Sequence, residues 1–96
     1  MTNDYLKQAQ DLHQTIRRAM LEDWDPIGIA KVPAAQDEYD SYVSTIHKML
    51  ISRRPHHEIF DYLWWLETVH MGLVGDRQGT ERFAKRLVQI AGIESA

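Results

Sequence analysis

The sequence predicts an all-α fold, a single-domain four-helix bundle over residues 1–96 with a long ordered loop between its first and second helices. Apolar residues recur at three- and four-residue steps in four separate stretches. No stretch shows the period-two, β-branched pattern of a strand. Ninety-six residues, 44% of them hydrophobic, suffice for one core and no more. Four apolar stripes on so short a chain close most economically on one another.

The first helix begins behind Thr2, Asn3 or Asp4 and lays Tyr5, Ala9, Leu12, Ile16, Ala19 and Met20 along one stripe. It is expected to stop near Leu21 to Asp23. Pro26, Gly28 and Pro33 then interrupt any helical pattern, which makes Trp24 to Gln36 a connection. The second helix carries Asp37 and Glu38 in its first turn and Lys48, Arg53 and Arg54 toward its end, the order that complements a helix dipole. Its buried stripe is Tyr39, Tyr42, Val43, Ile46, Met49 and Leu50. Pro55 suits the first turn of a third helix, which Gly72 ends. Apolar residues occupy nearly every direction around this helix, so it is expected to be the central one. Thr80 is the candidate cap of a last helix that buries Phe83, Ala84, Leu87, Val88 and Ile90 and ends near Gly92.

Composition excludes several functions. The formal charge is -3, the wrong sign for a protein whose affinity comes from neutralising phosphates, so no nucleic acid is expected as a partner. The chain has no cysteine, which removes disulfides, thiolate nucleophiles and cysteine-ligated metals and fits a reducing cytoplasm. The opening MTNDYLKQAQ is polar, and no stretch approaches the roughly 18 apolar residues of a membrane span, so the expectation is an untargeted, cytoplasmic protein without a membrane partner.

Catalytic signals are sparse. Ser41, Ser44 and Ser52 lie in a helical pattern, and neither a Gly-x-Ser-x-Gly elbow nor a phosphate loop occurs, so no catalytic residue is assigned. Among five histidines, His57 with Asp61 and Glu67 with His70 have helical spacing. A di-iron centre needs two Glu-x-x-His pairs, and this chain has one, so only a symmetric dimer supplies the second. The structural alternative is that Glu67 and His70 form a hydrogen-bonded pair satisfied by a neighbour such as Arg17. No metal and no cofactor are assigned. Arg82, Lys85 and Arg86 form a basic helical face that reads as solvated surface.

Residues 22–40 are the most informative. Glu22, Asp23, Asp25, Asp37, Glu38 and Asp40 face Lys31 alone, a local balance of -5, with Trp24, Tyr39 and, just beyond, Tyr42 interleaved. Carboxylates around aromatic anchors suit a surface for a basic protein partner: the charges steer encounter and the rings supply desolvated contact area. The candidate binding residues are Asp23, Trp24, Asp25, Asp37, Glu38, Tyr39, Asp40 and Tyr42. The same residues have structural roles open to them, as dipole partners, stripe residues and a cover for the bundle end.

Within this region, Trp24-Asp25-Pro26-Ile27-Gly28-Ile29 and Asp37-Glu38-Tyr39-Asp40-Ser41-Tyr42-Val43, with Tyr62-Leu63 and His70-Met71-Gly72-Leu73 further on, resemble a family of small bacterial all-helical proteins, a domain of unknown function. The resemblance covers roughly residues 20 to 73 and implies a bacterial, cytoplasmic helical protein with no established enzymatic activity and no known cofactor. In size, charge and architecture the chain is also similar to colicin immunity proteins, whose motifs it lacks. The function expected is a non-enzymatic protein-binding module, an inhibitor or immunity-type protein. The alternatives are a metal-dependent or small-molecule enzyme built across a dimer on Glu67, His70, Glu58 and Asp61, and a self-association module using Trp65 on the polar side of the third helix.

Overall fold

A computed structural model describes the backbone of residues 2–28, 32 and 37–95 and the side chains of residues 7–28, 32 and 37–92. Four helices build the bundle, with no strand among the described residues: α1 (Thr2–Ala19), α2 (Asp40–Ile51), α3 (His56–Trp65) and α4 (Arg77–Ser95). α1 and α3 each continue into one wider π-helical turn, Met20–Trp24 and Leu66–His70, closed by Asp25 N–H to Met20 O and Met71 N–H to Leu66 O, both 2.8 Å. The helical run therefore ends at Trp24, one residue past the expected stop between Leu21 and Asp23. The wide turn carries it through Trp24 and delivers that indole onto α4.

Most of the expected stripe residues fill the core: Leu12, Ile16 and Ala19 from α1 and Met20 from its π turn, Val43, Ile46 and Leu50 from α2, Ile59, Phe60 and Leu63 from α3, and Phe83, Ala84 and Leu87 from α4, with Tyr39 just before α2, while Tyr42, Met49, Val88 and Ile90 are only partly buried against it. Tyr5 lies outside the described side chains. Of the long loop, residues 29–31 and 33–36 fall outside the described residues.

Three expectations need correction. α4, rather than α3, is the helix that packs substantially against each of the other three, and α3 with its π turn leaves Trp65 and Val69 exposed. Thr80 does not cap α4. Asp76 does, accepting from Gly79 N–H at its side chain (3.1 Å) and from Thr80 N–H at its carbonyl (2.9 Å). The helix consequently starts three residues before Thr80, which turns inward and is buried. Gly79 lets the Asp76 carboxylate lie close against the backbone of this first turn, where a Cβ would oblige it to shift. α4 also runs past Gly92 to Ser95. Arg77, in its first turn, lays its guanidinium over Phe60 (5.0 Å) and Trp64 (5.8 Å), tying α3 to α4.

The corner between α2 and α3 contains a testable strain. Arg54 N–H reaches Met49 O and Arg53 N–H reaches Leu50 O, a helix-ending pair that forces Arg53 to φ 59°. This left-handed conformation favours glycine, and the Arg53 side chain is exposed. Arg53→Gly is expected to stabilise the protein by about 0.5 to 1 kcal/mol, read as a rise in Tm of about 4 °C in thermal unfolding.

Candidate functional site

Trp24 and Tyr39 are the centre of a clasp at one end of the bundle. The Trp24 indole stacks on Phe83 (centroids 6.0 Å, planes 3° apart), and tilts against Tyr39 at 5.8 Å. Its Nε1–H donates to Thr80 Oγ1 (3.1 Å), and the Thr80 hydroxyl donates to Glu67 Oε1 (2.5 Å). The second oxygen of Glu67 accepts from Asp76 N–H (2.9 Å), so a carboxyl group that is 4% exposed has both oxygens satisfied at the N-terminus of α4. Tyr39, fully buried, donates its hydroxyl to Asp25 Oδ1 (2.9 Å) and accepts from Ile27 N–H (3.2 Å). Burial, first, and the Asp25 carboxylate beside it push the Tyr39 phenol well above its ordinary range.

The candidate binding residues thus part company. Asp23 pairs with Arg86 of α4 (3.1 Å), while Asp37 and Asp40 pair with Arg17 of α1 (3.5 and 2.7 Å). Asp25 serves Tyr39, Trp24 is half-buried, and Tyr39 has no exposed surface with which to touch a partner. The loop acids are therefore spread over separate internal partners rather than gathered in one free patch. Arg86 and Lys85 of the basic face are also engaged, with Asp23 and Glu81. An open cleft of about 530 Å³ lies against Asp23, Trp24, Thr80, Phe83 and Arg82, and its walls are this clasp.

Glu38 and Tyr42 remain, and they border a different surface. Tyr42 meets His70 edge-on (5.7 Å, 85°), His70 stacks on Trp65 (5.6 Å, 27°), and Trp65 stacks on Tyr62 (6.5 Å, 19°). Four rings from α2 and α3 form one run. Trp65 is 48% exposed and Val69, one turn on, is 65% exposed. Partial burial and the nearby Glu38 charge raise the Tyr42 pKa. Glu38 and, one turn before Trp65, Asp61 are exposed and have no ion-pair partner among the described residues. The sequence signal for this face was Trp65 on the polar side of its helix. Its junction with Tyr42 was not legible, because it depends on how α2 lies against the end of α3.

Glu67 and His70 do not form the expected pair. The π turn points Glu67 into the core toward Thr80 and leaves His70 outside with Trp65 and Tyr42, and Arg17 serves Asp37 and Asp40 instead. Among the described residues, no group of three or more His, Asp or Glu is placed to hold a metal ion. His13 and His47 meet across α1 and α2 at 5.8 Å, with His47 Nε2 buried and unpartnered. Burial and the neighbouring His13 lower the His47 pKa. No described helix is long and apolar enough to cross a membrane. No protein-family model, curated protein or solved structure matches the chain.

Proposed function

We propose that the protein is a non-enzymatic binding module, of the inhibitor or immunity type, that holds a basic protein partner. The face formed by Tyr42, Tyr62, Trp65 and His70 is its contact surface, with Glu38 and Asp61 as the charges that attract the partner. The observation that carries this reading is the half-exposed Trp65 within a continuous run of rings, flanked by carboxylates that nothing in the described structure neutralises. Such rings provide anchor area and accept a cation on their π faces, and unpaired acids at the rim complement lysine and arginine. The acids of the 22–40 segment contribute to the long-range field of a -3 chain, but their close partners are internal.

A hexa-arginine peptide is a suitable probe, with hexaglutamate as control, followed by calorimetry. Binding is expected to weaken strongly between about 0.02 and 0.2 M salt, as the Debye length shortens about threefold. Trp65→Ala is expected to weaken it roughly tenfold, and Glu38→Gln with Asp61→Asn by a similar factor, while circular dichroism stays unchanged. Salt-independent binding, or full affinity in Trp65→Ala, overturns the proposal. So does concentration-dependent dimerisation abolished by Trp65→Ala in sedimentation velocity, which assigns the face to a second copy of the chain.

A further inference from the structure

We propose that His70 is a proton-operated competitor for the cation site of this face: neutral, it is one more ring for a basic partner to lie on, and protonated, it takes the partner's place. This inference rests on the proposed function above. His70 is exposed, ends the π turn of α3, and sits between the indole of Trp65 and the edge-on ring of Tyr42. An imidazolium in that position is itself a cation stacked on the indole that an arginine or lysine would use. Its charge also repels the incoming cation and offsets the attraction of Glu38 and Asp61.

The groups around His70 leave the proton effect to the imidazole. They are Tyr42 of α2 and Glu38 just before that helix; from α3 they are Trp65, Tyr62 and Asp61 at helical spacing. Tyr42 is held neutral, since its pKa is raised. Glu67, three residues before His70, is turned inward and bonded to Thr80 and Asp76. His47 sits against His13 of α1, and its lowered pKa delays its own protonation. Histidine is the side chain that changes charge between pH 8 and 5.5 in general, and because the chain has five of them, the comparison with His70→Gln is what separates this one from the rest.

The test measures hexa-arginine binding at about pH 8 and pH 5.5 at low salt, on the intact protein and on two variants of this exposed position. The unsubstituted protein is expected to lose roughly tenfold in affinity on acidification, from one lost cation–π contact plus one added like charge. His70→Gln is expected to lose less than about twofold, and His70→Lys, a permanent cation, to bind weakly at both pH values. Equal acid sensitivity in the intact protein and His70→Gln overturns the inference, as does an acid-insensitive intact protein, and in both cases binding at pH 8 leaves the proposed function standing. Absence of binding at pH 8 removes both.

Discussion

Glu67→Ala is expected to destabilise the protein by about 3 kcal/mol, a drop of roughly 15 °C in Tm, the largest effect among the polar residues of the bundle. The Glu67 oxygens are the acceptors for Thr80 Oγ1–H and for Asp76 N–H, and Thr80 in turn receives the Trp24 indole N–H. Removing the carboxyl group leaves two buried or half-buried donors without an acceptor and a void beneath α4, where each orphaned group costs about 1 to 3 kcal/mol. Glu67→Gln keeps the shape and one acceptor oxygen, so the expected loss is smaller, about 1 kcal/mol. The chain Trp24–Thr80–Glu67 makes a second statement: Thr80→Val and Glu67→Ala share an interaction and should be non-additive in a double-mutant cycle of urea unfolding. A Glu67→Gln variant as stable as the unsubstituted protein, or strict additivity in the cycle, would show that the network contributes nothing beyond volume.

The helices were legible in the sequence because each has a stripe at helical spacing, and a stripe survives any detail of packing. Leu12, Ile16, Ile46, Ile59, Leu63 and Leu87 all reach the core as their spacing requires. The helix ends were less legible. Thr80 stands directly ahead of the Phe83–Leu87 run and resembles a cap, yet the earlier pair Asp76 and Gly79 closes the first turn and frees Thr80 to bond Glu67. The π turns left no trace in the pattern, because one extra residue in a turn is decided by contacts made elsewhere. Those turns determine where Trp24, Glu67 and His70 point. The 22–40 acids are concentrated in sequence, but concentration along a chain is not concentration on a surface. Arg17 and Arg86, from helices on either side, draw three of them in different directions.

Tyr39 offers the second large effect and separates packing from hydrogen bonding. Tyr39→Ala is expected to cost about 4 kcal/mol, because a fully buried ring in contact with Trp24 and Tyr42 is lost from the core. Tyr39→Phe keeps the ring and removes the hydroxyl that joins Asp25 Oδ1 to Ile27 N–H, for an expected loss of about 1 to 2 kcal/mol. The hydroxyl also has a pH signature. Its folded pKa lies above the unfolded tyrosine value, so the folded state holds this proton more tightly. The stability it confers is complete below the unfolded pKa near 10 and is lost as the pH rises beyond it. In the Phe variant that alkaline limb is expected to flatten while the neutral-pH loss remains. Absorbance titration reads the same group directly: Tyr39 should ionise only as the protein unfolds, so the step of the folded protein is expected to fall short of the four tyrosines in the sequence. A full four-tyrosine step in the folded protein, or an unaltered alkaline limb in Tyr39→Phe, removes the hydroxyl from the clasp and leaves Tyr39 as core alone.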